Sequence, residues 1–300
     1  MCYFYGLHGD SGMIVLIVLN YNDADTVIQY INKIKEYKNI DHIVIVDNCS
    51  TDDSYDRLKV LESGDKILLI QTDRNKGYAS GNNFGAYYAK EKWNPDYLVI
   101  SNPDVEFEED VIDELKGVFS IKDDAAGVTC MMNCTSGIKL PVAWRIPTYR
   151  DCLMENLIIL KRLLHYSNEY SSAKLGKVIV AAEAIPGSFF MVDTKRFLEV
   201  EGFDENTFLY YEENILGKRF KEKGYKQYLL TKYEYIHRHS VSINRTYEKV
   251  GQRLRMGYKG REYYCVTYLG INKLQKLLLR TTFEIGTFNY VVAKRILRGH

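Results

Sequence analysis

The fold predicted by this sequence is α/β: a doubly wound, mostly parallel sheet flanked by helices, with a helical appendage towards the C-terminal end. Three observations predict it. Apolar runs of strand length recur at short intervals through the first hundred residues, helical-period segments separate them, and polar clusters fall at the carboxyl end of each run.

The run "MIVLIVLNYN" (13–22) is continuously apolar, as expected of a strand covered on both faces. In "DADTVIQYINKIKEY", Val27, Ile28, Ile31 and Ile34 recur at helical spacing behind Asp and Thr residues that suit caps. "HIVIVDN" (42–48) is a second strand, and Ser50 or Thr51 can cap the helix carrying Leu58 and Leu61. "KILLIQT" is a third strand, "NKGYASGNNFGAYYAKEK" a glycine-bearing loop running into a helix, and "DYLVISN" a fourth strand. Strand and helix alternating at this spacing imply right-handed crossovers, and ligands bind such sheets outside the carboxyl ends of the strands. Asn20-Tyr21-Asn22, Asp47-Asn48, Asp73-Arg74-Asn75 and Asn102-Pro103-Asp104 all fall at those ends.

Beyond residue 110 the pattern changes. A helix near 109–120 precedes weaker segments, and Leu153, Leu157, Leu160 and Leu164 lie at helical spacing over 151–165, predicting a helix that is core or faces a partner. "AIPGSFFMVDTKRFLEV" reads as turn, strand and helix; "GFDENTFLYYEENILGKRFKEKGYK" as a loop opening a helix that stops near Gly224; "YLLTKYEYIHRHSVS" as one or two strands ending in histidines; and two basic helical stretches follow. The organisation predicted is an extension over 1–12, a catalytic domain over 13–248 and a basic helical segment over 249–300.

Composition narrows the function class. At 46% hydrophobic and 26% charged, the 300 residues describe an ordinary globular chain. Six scattered cysteines without a paired CxxC suggest free thiols in a reducing compartment, hence the cytoplasm. No uncharged apolar run is long enough for a membrane helix, and the opening residues lack the pattern of a signal peptide. The net charge of +1 is uneven: from Lys249 onward eleven Lys or Arg face only Glu262 and Glu284, leaving about −8 on residues 1–248. A basic tail mixing Leu and Phe with Lys and Arg, as in "NKLQKLLLRTTFEIGTF", predicts contact with a membrane surface, at the inner face of the cell membrane, in preference to nucleic acid, for which no binding module is present. A solvated helix packed on the catalytic domain is the competing expectation. A dinucleotide fold needs GxGxxG after the first strand, where this chain has "NYNDAD", and no GxxxxGK[ST] occurs.

The segment "VISNPDV" ends an apolar run with a carboxylate. Asn102 and Pro103 suit a type I turn with Asp104 as a solvated turn residue; Asp104 as a metal ligand is the alternative. Asp47 on its own reads equally as a helix cap, and Gly77 and Gly81 as turn glycines.

Seven segments taken in order, "VLNYN", "VDNCSTDDS", "NKGYASGNNFGA", "SNPDV", "PGSFFMV", "GFDENTFLYYEENILGKRFKEKGY" and "HRHSVS", resemble a family 2 glycosyltransferase. This is the nucleotide-sugar-dependent, GT-A-fold group that includes many rhamnosyltransferase-like enzymes, and the resemblance runs from about Met13 to Ser242. It implies a UDP- or dTDP-sugar donor, with Asp47 accepting from the ring N–H of the base and Asn20, Tyr21 and Asn22 along the nucleoside. Asn75, Gly77 and Asn83 belong to the donor loop, Gly81 lets the chain pass close to the nucleotide, and Asn102 and Asp104 stand at the diphosphate. Asp104 occupies the last position of the family's DxD motif and would hold Mn²⁺ or Mg²⁺, joined by His237; His239, Arg238 and Arg245 are the alternatives near the diphosphate. In the acidic pair, Glu213 aligns with the catalytic base and Glu212 is its neighbour or substitute, although Asn214 and Ile215 replace acids often seen downstream. The acceptor implied is a glycan or a lipid-linked sugar in cell-surface polysaccharide synthesis. Two rivals stand beside this reading: a non-catalytic nucleotide-sugar-binding partner, and a sugar-nucleotide nucleotidyltransferase, whose glycine-rich, Arg- and Lys-bearing loop after the first strand is missing.

Overall fold

A computed structural model describes residues 12–134, 142–170, 174–238 and 250–298; the predicted extension, His239, Ser242 and Arg245 lie outside the described residues. In chain order the elements are β1 (Ile14–Asn20), α1 (Ala24–Ile34), β2 (His42–Asp47), α2 (Ser54–Lys59), β3 (Ile67–Gln71), α3 (Tyr78–Trp93), β4 (Tyr97–Ser101), β5 (Val105–Glu106), α4 (Glu109–Ile121) and β6 (Ala125–Cys134). They continue with α5 (Tyr149–Asn156), α6 (Ile158–Leu163), β7 (Ile179–Ala182), β8 (Phe189–Asp193), α7 (Thr194–Glu199), α8 (Glu212–Glu222), β9 (Lys226–His237), α9 (Val250–Thr267) and α10 (Lys273–Arg298).

Among the described residues these strands form one mixed sheet, ordered β3-β2-β1-β4-β8-β6-β9-β5, with β7 on β9. The β3-β2-β1-β4 half is parallel, whereas β8 runs antiparallel to β4 and to β6. Residues 14–18, 43–46 and 98–100 are buried throughout because helices cover both faces, which explains the unbroken apolar runs. The parallel register Asn20↔Asp47 and Val18↔Ser101 places the polar ends of β1, β2 and β4 on one sheet edge. The two-residue β5, antiparallel to β9 with Val105 opposite His237, carries the chain from Asp104 to the histidine.

The helix predicted over 151–165 is broken at Leu157, whose φ/ψ of −87°/65° leaves the helical region. Thr148 and Asp151 form a reciprocal capping box at the start of α5. At its end the buried Asn156 Nδ2 donates to Leu279 O (2.8 Å) and Thr282 Oγ1 (3.0 Å), a tertiary contact with α10 that competes with continuing the helix. Leu160, Leu163 and Leu164 are consequently exposed rather than core.

The two C-terminal helices are built into the fold. Cys152, Tyr211, Ile215, Tyr264, Cys265 and Leu279 make one buried cluster joining α5, the start of α8, α9 and α10. Gly286 permits this closeness, since a Cβ there would meet Asn156 O at 1.9 Å. One face of α10 buries Leu279 and Phe283, while the opposite face exposes Leu274, Leu277, Leu278, Ile285 and Phe288.

Candidate active site

The turn and the ligand readings of Asp104 are compatible. Pro103 and Asp104 form the turn leaving β4, and this turn sets Asp104 beside the end of β9. His237 Nε2 lies 3.2 Å from Asp104 Oδ1, and Arg238 N donates to Asp104 O at 2.9 Å. Arg238 itself pairs with Glu106. One carboxylate oxygen and one imidazole nitrogen are a donor set that Mn²⁺ or Mg²⁺ accepts when phosphate oxygens complete its shell. Among the described residues no group of three or more His, Cys, Asp or Glu could hold a metal, so further ligands at this site must come from a bound molecule or from residues not described.

The acidic pair opens α8. Glu212 is 2% exposed and its Oε1 has no hydrogen-bond partner among the described residues. Burial, and then the charge of Glu213, push its carboxyl up to about 8. Burial also raises Glu213. Burial makes both carboxyls easier to protonate than free ones, and the charge of Glu213 adds to this at Glu212. The N-terminus of α8 favours negative charge on the pair. Glu213 Oε1 accepts from Gly187 N at 3.4 Å.

Residues 187 and 188 join the two halves of the site. Ser188 O accepts from Asn102 N (2.8 Å), which fixes the Asp104 turn, while Gly187 faces Glu213. Tyr78 at the start of α3 donates to Gly187 O (2.6 Å), and Ser188 Oγ pairs with the Tyr235 hydroxyl (2.8 Å). Glycine at 187 lets Glu213 approach, because a Cβ would lie 2.9 Å from Glu213 Oε1 and push that carboxylate aside. Burial first, and more weakly the charges of Asp104 and Glu213, hold the Tyr235 phenol above its usual range, so one side chain feels both carboxylates.

The backbone preceding the pair is strained. Tyr210 and Tyr211 have φ of 76° and 81°, the left-handed region that costs a non-glycine residue about 1–3 kcal/mol. The C-terminal helices hold it there. The Tyr211 hydroxyl donates to Glu155 Oε2 (2.7 Å) and accepts from Arg261 Nε (3.1 Å); Arg261 Nη2 completes an ion pair with Glu155 at 3.0 Å. Gly260 lets α9 lie against this turn, since a Cβ would meet Tyr210 O at 2.6 Å. Asn214, standing where an acid was expected, accepts from the Trp144 indole (2.8 Å), and Ile215 is buried among the C-terminal helices.

Several residues assigned to the donor by sequence also have internal partners. Asp47 is completely buried, and its carboxylate accepts from Asn20 Nδ2 (2.8 Å), Gln71 Nε2 (2.9 Å), Ser50 N (3.0 Å) and Ser50 Oγ (2.5 Å). Four donors surround this carboxylate, so Asp47 ties together the tips of β1, β2 and β3. Asn83 exchanges two hydrogen bonds with the Phe203 backbone (2.8 and 3.0 Å) and so faces that loop. Gly81 answers to packing on β1, where a Cβ would meet Leu19 Cδ1 at 2.4 Å. Gly77, at φ 98°, lets the chain pass Phe208 O, which a Cβ would approach to 2.1 Å. Asn75 Oδ1 accepts from Asn48 Nδ2 (3.1 Å) and Gly77 N (2.9 Å), ordering the loop before α3. Asn22 is held in a left-handed conformation by bonds with Thr51 and Ser50. Asn20 is buried with its Oδ1 unpartnered among the described residues, and Tyr21 stays partly open at the rim.

Residues 15–170, more than half of the chain, match Glycosyl transferase family 2. The chain belongs to this family. Among curated relatives it is 24% identical over 242 residues to rhamnosyltransferase WbbL of Escherichia coli (strain K12), covering 75% of this chain and 83% of the relative. It is 26% identical over 211 residues to the N-acetylglucosaminyl-diphospho-decaprenol L-rhamnosyltransferase of Mycobacterium tuberculosis, covering 68% of each. In fold it is similar to the mannosyltransferase PcManGT from Pyrobaculum calidifontis, solved in complex with GDP-Man and Mn²⁺, with a TM-score of 0.59, 13% identity and coverage of 91% and 69%. A comparable likeness, with TM-score 0.57, 11% identity and coverage of 93% and 73%, relates it to S. aureus TarS 1-349 in complex with UDP-GlcNAc. The protein is therefore a glycosyltransferase with a GT-A fold. No helix among the described residues is long and apolar enough to cross a membrane.

Proposed function

We propose that this glycosyltransferase is an inverting, metal-dependent enzyme that moves a sugar from a UDP- or dTDP-sugar to a glycan or lipid-linked acceptor in cell-surface polysaccharide synthesis. The observation that carries the reading is the span Gly187–Ser188, which links the Asp104 turn to Glu213. Asp104 and His237 would hold Mn²⁺ or Mg²⁺, which when bound neutralises charge developing on the departing diphosphate. Glu213 takes the proton from the acceptor hydroxyl as its oxygen bonds to the anomeric carbon and the sugar–phosphate bond breaks towards the diphosphate. Glu212, whose carboxyl is pushed up to about 8, holds its proton beside it. Tyr21, partly exposed after β1, would lie along the nucleoside, with Asp47 behind it at the tip of β2.

The lipid-linked acceptor is supported by the decaprenol named in the mycobacterial relative, and the UDP donor by the TarS complex. The outward face of α10, where Leu274 and Phe288 are 77% and 69% exposed above Lys273 and Arg280, supports contact with an anionic membrane surface. The rival reading of a donor-binding partner drew on the missing acid at 214; Asn214 is bound to Trp144 and so serves packing.

The test is Glu213→Gln with a panel of nucleotide sugars and Mn²⁺. Wild type releases UDP or dTDP and transfers sugar. The variant retains donor binding, read by thermal shift, and loses on the order of 10²–10⁴-fold in turnover. Normal transfer by the variant removes Glu213 as the base.

A further inference from the structure

We propose that the cavity between α5, α9 and α10 receives the first part of the hydrocarbon chain of a lipid-linked acceptor. The proposal rests on the transferase reading above and assigns the acceptor's apolar part to a place. The cavity has a volume of about 330 Å³, within the range of small-molecule sites, and Ile158, Tyr210, Leu254, Gly257, Arg261 and Phe283 line it.

Its position ties it to the reaction. Tyr210 forms one wall and lies two residues before Glu212, a chain span of at most roughly 7 Å. The opposite wall comes from α10, whose Phe283 and Thr287 face the cavity while Phe288 and Val291 continue onto the exposed apolar face of the same helix. A chain leaving the cavity past Thr287 thus meets apolar side chains.

Its electrostatics select the occupant. Among the described residues the charged groups in the wall, Arg261 and Glu155, are paired at 3.0 Å and further bonded to Tyr211 and Asn156, so these two add no net charge to it. A cation already paired in this way is a poor partner for a phosphate or nucleotide, whereas a neutral apolar chain gains by leaving water.

The glycines of α9 give an independent indication. Gly260 is required by contact with Tyr210 O, but a Cβ on Gly257 would meet only Tyr210 Cδ2 at an ordinary 3.8 Å. A mid-helix glycine is less stable there than alanine, and packing does not demand this one. At 257 any longer side chain would project into the cavity, so the glycine keeps it open.

The experiment titrates the full chain with farnesyl diphosphate and with inorganic diphosphate, comparing wild type, Gly257→Ala and Gly257→Leu, with Thr287→Leu filling the space from the other wall should Gly257→Leu fail to fold. Wild type and Gly257→Ala bind farnesyl diphosphate alike, and the filled variant binds it at least about tenfold more weakly, since excluding two or more methylene equivalents costs more than the 1.4 kcal/mol of a tenfold change. Inorganic diphosphate binds all variants equally. Undiminished farnesyl diphosphate binding in the filled variants overturns the assignment, as does equal displacement by a short-chain phosphatidylglycerol, which would make the cavity a general lipid site. If the filled variants lose the isoprenoid while no nucleotide sugar shifts the melting temperature of any variant, the cavity stands and the transferase reading falls.

Discussion

Glu212→Gln should make this protein more stable, and increasingly so as the pH rises. The Glu212 carboxyl is pushed from 4.5 up to about 8 in the folded chain by burial and by the charge of Glu213. The folded state therefore holds a proton that the unfolded chain releases above pH 4.5. Stability is fullest below pH 4.5 and declines as pH climbs towards 8, at about 1.4 kcal/mol per unit. By pH 7 the wild type has lost about 3 kcal/mol through this one group. Glutamine has no proton to take up, but its NH₂ enters a site where Oε1 already lacks a partner, which offsets about 1 kcal/mol. The net gain at pH 7 is about 2 kcal/mol, or roughly 4–8 °C in Tm for a domain of this size. Urea unfolding of both proteins between pH 5 and 8 reads this directly: the two stabilities lie close at pH 5 and separate at pH 8. Transfer persists in the variant, because Glu213 keeps its accepting oxygens. Parallel stability curves across that range would refute the burial argument for the pair.

Further outcomes follow from the same geometry. Asp104→Asn should raise the Mn²⁺ concentration needed for half-maximal activity by about tenfold or more, and chelation should silence wild type until Mn²⁺ is restored, both read in a donor-hydrolysis assay. Gly260→Ala, with its Cβ 2.6 Å from Tyr210 O, should displace the strained turn and lower kcat more than the KM for donor, with a loss of about 1–3 kcal/mol in unfolding free energy. Replacing Leu277, Leu278 and Phe288 by Ser should abolish flotation with anionic liposomes while leaving Tm within a few degrees, because these side chains are exposed.

The sequence made the sheet legible for a physical reason: strands covered on both faces must be apolar throughout, and β1, β2 and β4 are. Position at the strand ends and the family resemblance together singled out Asp104, His237 and the acidic pair; the structure sets His237 against Asp104 and links the Asp104 turn to Glu213 through Gly187 and Ser188. What stayed hidden was the use of side chains over long sequence separations. Nothing in "VDNCSTDDS" shows that Ser50 and Gln71 donate to Asp47, and nothing in "SGNNFGA" shows that Asn83 faces Phe203. Helical spacing of leucines could not reveal the break at Leu157, which depends on Asn156 meeting a helix more than a hundred residues away. The basic C-terminal stretch read as an appendage because its hold on Tyr211 rests on Arg261, Tyr264 and Gly260, none of which forms a local pattern.

Gly187 and Ser188 are neighbours, and each grips a different half of the reaction centre. One peptide unit, 3.8 Å between α-carbons, therefore acts as a ruler between the turn that bears Asp104 and the carboxylate of Glu213. Loop length can drift elsewhere along this chain without altering that gauge. A single residue inserted between 187 and 188 would shift the bond to Asn102 against the bond to Glu213 by up to that spacing.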